Sequence, residues 1–194
     1  MTPALAKAVW AVTVVLWYAI RYPFERRAKK AAVARTHRDG RELMLLGISL
    51  TGLGVLPALY VGTGFPRFAD YPFRPELAWL GMAFAVAALA MFRFTHKALG
   101  RNWSVSLDVR ERHTLVTEGV YRRVRHPMYT AFWLWAVAQA LLLPNWVAGP
   151  AGLVGFGTLF FFRVGREERM MLDAFGDDYR AYMARSARVI PWVY

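Results

Sequence analysis

The residues able to do chemistry gather in two places along this 194-residue chain: Arg163, Glu167 and Glu168, and a basic, turn-rich segment, HTLVTEGVYRRVRHPMY, at 113–129. Arginine and glutamate four apart lie one helical turn apart and face the same way. The spacing of Arg163 and Glu167 fits an exposed intrahelical pair worth ~0.3–0.5 kcal/mol. It fits equally a charged pocket where a helix leaves lipid, a place where an ionisable side chain costs ~2.5–3.5 kcal/mol on insertion scales and so implies function. In the second segment, Arg125-His126-Pro127 reads as a helix start. Proline suits the first turn, where its missing N–H has no partner to lose, and it pushes the preceding residue to extended backbone. With Arg122, Arg123 and Arg125 beside it, such a start either holds the anionic end of a ligand or carries the ordinary flanking charges of a membrane helix. The absence of cysteine excludes disulfides and thiolate chemistry, and four histidines scattered at 37, 96, 113 and 126 give no reason to expect a metal site.

The elements that must position these groups are membrane helices. The chain is 57% hydrophobic and 15% aromatic, and its apolar residues lie in long runs that a soluble protein would not carry. Five spans are expected, over 3–20, 43–61, 76–94, 128–143 and 146–162, in an all-α integral membrane protein forming one unit over 1–194. The first has a single charge, Lys7, near its end, and runs into Trp17, Tyr18 and an arginine block with no small-residue cleavage site, so it reads as retained. The second carries Gly47, Gly52 and Gly54 for close helix approach and Pro57, which should bend it. The turn-rich 62–75 connects to the third, and Pro144-Asn145 leaves room for only a tight turn between the fourth and fifth. The hydrophilic stretch 96–127 is long enough to be functional, and 163–185 reads as a helix leaving the membrane. The net charge of +12 does not indicate nucleic acid, because the basic residues lie between apolar runs. All but Lys7, Arg67 and Arg74 of the 25 Lys and Arg fall on one side, which puts the N-terminus outside and the C-terminus in the cytosol, in the inner membrane if the source is bacterial.

The motifs LGRNWS at 99–104, H-x-LVTEGVYRRVRHPMY at 113–129, R-x-x-x-EE at 163–168 and FGDDYRAY at 175–182 together resemble the isoprenylcysteine carboxyl methyltransferase family, and in length and span layout its small prokaryotic members. The resemblance covers about 90–192, with 96–194 as the cofactor-binding catalytic part. It implies an enzyme that binds S-adenosylmethionine in a cytosol-facing pocket made by the long loop and the C-terminal helix. By matching position, the cofactor contacts would be His113, Leu115, Val116, Tyr121, His126, Pro127, Tyr129 and Glu167. Arg163 would hold a substrate carboxylate, with Glu167 and Glu168 as the glutamate pair of the catalytic set. The chain departs from the eukaryotic pattern at Ser106, where those members have glutamine. The substrate would be lipophilic or lipidated, with Trp133, Trp135 and Gln139 as a wall for its greasy part. Carboxylate methylation of a prenylcysteine-like acceptor leads; amine or phospholipid N-methylation, lipid or sterol reduction and a catalytically silent binding role are the alternatives.

Overall fold

The computed structural model describes residues 1–30, 40–100 and 115–191, and among these the regular elements are all helical, with two isolated β-bridges. Helix α1 is Pro3–Lys30, α2 is Gly40–Leu50, α3 is Leu56–Thr63, α4 is Pro75–Leu99, α5 is Pro127–Leu142 and α6 is Ala151–Arg185. A π-helical turn, Thr51–Val55, joins α2 to α3, so that 40–63 runs as one rod. That rod, α1 as far as Arg27, and α4 are each long and apolar enough to cross a membrane. Helix α5, at 16 residues, rises only ~24 Å, and it forms an antiparallel hairpin with α6. Within this hairpin α5 packs on α4, and α6 on α2. Helices therefore stand at the five expected places, and the all-α membrane architecture is as expected.

Two features of these helices differ from expectation for a local reason. The bend assigned to Pro57 is absorbed one turn earlier. Proline at that position has no N–H to give the carbonyl of Leu53 and would collide with it, and the wider π turn makes room. The fifth span, expected from Trp146, becomes helical only at Ala151. Before it, the fully buried Asn145 accepts from the N–H groups of Val147 (3.0 Å) and Ala148 (2.9 Å) and donates to the Pro66 carbonyl (2.7 Å) and Asp70 (2.8 Å), pinning 144–150 to the opposite loop. From Ala151 the helix continues past the apolar run and is interrupted at Gly176, whose φ of 52° lies in the left-handed region. The three charged residues of interest thus ride on a continuation of a membrane helix.

What sets the position of that helix is a close crossing with the π turn. A Cβ on Gly52 would collide with the Ala151 carbonyl, and one on Gly155 would lie 2.7 Å from the Ile48 carbonyl. Gly47, expected to serve the same purpose, faces open space. Gln139, fully buried, ties the crossing to α5: its amide donates to the carbonyls of Gly52 (3.0 Å) and Ala148 (2.8 Å). Gly52→Val should therefore separate two backbones, costing ~1–3 kcal/mol. Thermal melting in detergent checks this, with Gly47→Val as the neutral comparison.

Candidate active site

Past the apolar part of α6, the four-residue spacing brings Arg163 Nε to donate to Glu167 Oε1 at 2.9 Å. The pair is not an exposed one: the two side chains keep 13% and 17% of their surface in contact with solvent. The same Glu167 oxygen accepts from the Tyr129 hydroxyl of α5 at 2.7 Å, and the other lies 3.5 Å from His126 Nδ1. His126 and Tyr129 stack with ring centroids 5.4 Å apart. From α2, Glu42 brings a second carboxylate to Arg163, 3.7 Å from its Nη1. Three helices thus meet at one charged cluster, and the Arg163–Glu167 pair is mostly buried rather than exposed.

The loop before α5 is held against α6 by the C-terminal segment. Gly119, at φ 63°, opens the 3-10 turn Gly119–Arg122, whose Tyr121 is buried and whose Tyr121 carbonyl accepts from the Tyr182 hydroxyl at 2.6 Å. The N–H groups of Arg125 and His126 donate to the carbonyls of Ala187 (2.8 Å) and Arg188 (2.9 Å), and the Ala187 N–H donates back to Arg123 (3.0 Å). Pro127 starts α5, as its sequence context requires. Leu115 and Val116 lie half-buried at the other end of the loop, and His113 and Ser106 lie outside the described residues. Trp133, one turn beyond Tyr129, packs edge-on to Phe156 (5.3 Å) and Phe160 (5.7 Å), and Phe160 also meets Tyr129 (5.4 Å). Tyr129, Phe156 and Phe160 belong to the buried core, with Trp133 packed against it, so an aromatic cluster continues from the charged groups into the hairpin. Trp135 belongs to the buried core.

The arginines before α5 point in different directions. Arg122 and Arg123 are exposed. Arg125 turns inward, donating to Glu168 at 3.1 Å and to the carbonyls of Met183 (3.2 Å) and Ser186. Arg188 grips Glu168 from the other side, at 2.8 Å through Nη2 and 3.0 Å through Nε. Glu168, 4% exposed, is thus a strut joining helix, loop and tail. Nothing in the sequence signals this use of Arg125, because its partners come from a remote part of the chain.

Electrostatically the two glutamates share His126. Burial opposes the charge of Glu168, but His126, Arg188 and Arg125 outweigh it and hold the carboxyl down to about 2. Burial likewise opposes Glu167, and His126, Arg163 and the Tyr129 hydroxyl keep it below the usual carboxylate range. Burial works against a charged His126, yet the two carboxylates raise its pKa above the ordinary value of 6.5. The stabilisation from a lowered carboxyl pKa is present above the ordinary 4.5 and is lost as pH falls toward about 2. That from His126 is full below 6.5 and is lost as pH rises through its raised pKa. Glu168→Gln should lower the melting temperature at pH 7 by leaving Arg125 and Arg188 uncompensated, and should flatten its decline in acid. A pH series of melting curves for the two proteins measures both effects.

The helices and this cluster define a class: an integral membrane protein with a polar, buried site built where one long helix leaves the apolar layer. Residues 79–173 match the model of the isoprenylcysteine carboxyl methyltransferase (ICMT) family. A probable protein-S-isoprenylcysteine O-methyltransferase of Oryza sativa subsp. indica is 26% identical over 131 residues, 66% of this chain and 67% of the rice protein. Protein-S-isoprenylcysteine O-methyltransferase B of Arabidopsis thaliana is 35% identical over 96 residues, 48% of this chain and 49% of its own length. The human protein-S-isoprenylcysteine O-methyltransferase is 27% identical over 128 residues, and the match spans 45% of its length. The chain shares its fold with a solved structure of the eukaryotic intramembrane Ras methyltransferase ICMT, with a TM-score of 0.54 and 22% identity over 82% of this chain and 55% of that one. Just under half of the chain is thus similar to the ICMT family, in the part that carries most of the charged cluster.

Proposed function

We propose that this protein transfers the methyl group of S-adenosylmethionine to the carboxylate of a lipophilic, membrane-partitioned acceptor of the prenylcysteine type. The observation that carries the reading is the placement of Arg163: a mostly buried guanidinium beside Glu167, where α6 leaves its apolar run, next to an aromatic cluster and to the loop whose motifs resemble the ICMT family. A guanidinium there suits a carboxylate whose hydrocarbon tail stays in lipid.

The residues present fit the cofactor. Glu167 is a mostly buried carboxylate suited to balancing a sulfonium, and His126, with Nδ1 3.5 Å from Glu167 and Nε2 3.5 Å from Glu168, holds the two glutamates beside the loop. Tyr121, Leu115, Val116, Pro127 and Tyr129 would form the surrounding walls, with His113 completing them from outside the described residues. The bound cofactor supplies an activated methyl group. Its transfer to the acceptor carboxylate would form a C–O bond and break the cofactor's C–S bond, leaving an ester and a thioether. No proton moves, so the chain needs no general base. Its work is alignment and exclusion of water. An amine acceptor would need a base, and Glu168, held near 2 by two arginines and His126, is unsuited to that role, which favours the carboxylate.

The cofactor reading predicts that S-adenosylhomocysteine raises the melting temperature, since a ligand selective for the native state stabilises it, while NADPH does not. His126→Ala should abolish the rise. A rise with NADPH alone would point to reduction instead. For orientation, cysteines introduced at the exposed Thr63 and Ala184 should label from outside and from the cytosol respectively. Labelling of both from one side would refute the arrangement.

A further inference from the structure

We infer that Glu42 tunes acceptor affinity and product release: it is an internal carboxylate that occupies Arg163 when no acceptor is bound, yields to the acceptor carboxylate, and returns once that carboxylate has become an ester. The inference rests on the carboxylate reading above and deepens it. Arg163 lies between two carboxylates of unequal standing. Glu167 is on the same helix, accepts at 2.9 Å and is fixed by Tyr129 and His126. Glu42 stands across the α2–α6 contact at 3.7 Å, the looser of the two. It is 4% exposed, on the first turn of a helix whose neighbour Arg41 stacks on Phe162 of α6 at 5.5 Å. The Gly52–Gly155 crossing holds these two helices at backbone contact, so Glu42 is delivered to Arg163 by rigid elements.

Three buried charges of this kind form a competition. An acceptor carboxylate brings one more negative charge to a guanidinium already facing two, and like charges at one site exclude each other. The more distant one, Glu42, is the one to be displaced, and moving it off its counter-ion subtracts from acceptor affinity. Methylation reverses the balance. The carboxylate oxygen gains CH3 from the sulfonium, the two formal charges cancel, and the product ester presents only neutral oxygens to Arg163. Glu42 then outcompetes it. The device weakens acceptor and ester alike, so that the ester, which gains no ion pair from Arg163, is readily released.

The test uses the full chain in detergent, with labelled S-adenosylmethionine, a small S-prenylcysteine as acceptor and its methyl ester as product inhibitor. Glu42→Gln keeps shape and removes charge. It should lower the acceptor KM about three- to tenfold, lower kcat, and strengthen inhibition by the ester by a similar factor, without altering the melting shift given by S-adenosylhomocysteine. Glu42→Asp draws the carboxylate back by one methylene and should fall between. If Glu42→Gln does not fold, the Asp variant decides alone. An acceptor KM and ester inhibition unchanged in a folded Gln or Asp variant overturn the inference. So does a raised KM, which would mean that Glu42 merely props Arg163. Failure of the carboxylate reading itself shows differently, as an Arg163→Leu protein with wild-type turnover.

Discussion

Arg163→Leu should lower kcat/KM on a carboxylate acceptor by about two to four orders of magnitude, while the affinity for S-adenosylhomocysteine changes little. The substrate carboxylate would be buried in a poorly hydrated pocket, and removing its guanidinium leaves it there without a counter-ion, a loss of ~3–5 kcal/mol. Glu167 retains Tyr129 and His126 in this variant, so the cofactor side of the cluster keeps its two other supports. A purely structural ion pair predicts otherwise: a lower melting temperature and nearly intact kinetics. Steady-state rates at saturating cofactor, with melting curves on the same samples, separate the two.

Glu167→Gln should act on the opposite ligand first. Glu167 is where Arg163, Tyr129 and His126 converge, and the amide keeps its shape while losing its charge. The Tyr129 hydroxyl can still donate to the amide oxygen, so the loss falls on the two ionic partners and on a bound sulfonium. The affinity for S-adenosylmethionine should fall about ten- to a hundredfold, with a smaller effect on the neutral thioether S-adenosylhomocysteine. Titration of each ligand against both proteins measures the difference. An equal loss for the two ligands would remove the charge-balancing role from Glu167.

How much of this was legible depended on the range of the interaction. Interactions within one helical turn could be read directly. The His126-Pro127 start of α5 and the Arg163–Glu167 pair follow from local backbone and spacing. The apolar runs located the helices, but where α6 starts is set by Asn145, whose partners Pro66 and Asp70 lie in a loop on the far side of two spans. The glycines of 47–54 looked interchangeable, and only the crossing with α6 selects Gly52. Arg125 seemed a ligand for an anion because its neighbours are basic, whereas its own anion is Glu168, supplied by the fold. Glu42 was missed for the same reason. It stands at the edge of an apolar run behind a basic stretch, where a charge is ordinary, and its relation to Arg163 exists only once α2 and α6 are packed.

The central claim is that this chain esterifies a carboxylate presented from the membrane. Its most direct test is to incubate the purified protein in detergent with methyl-labelled S-adenosylmethionine and a small S-prenylcysteine, then treat the product with base. The account predicts label in the lipophilic fraction that base releases as volatile methanol, present with the wild-type chain and nearly absent with Arg163→Leu. Label that resists base, as on an amine, or no transfer to the carboxylate by a protein that still binds S-adenosylhomocysteine, would contradict it.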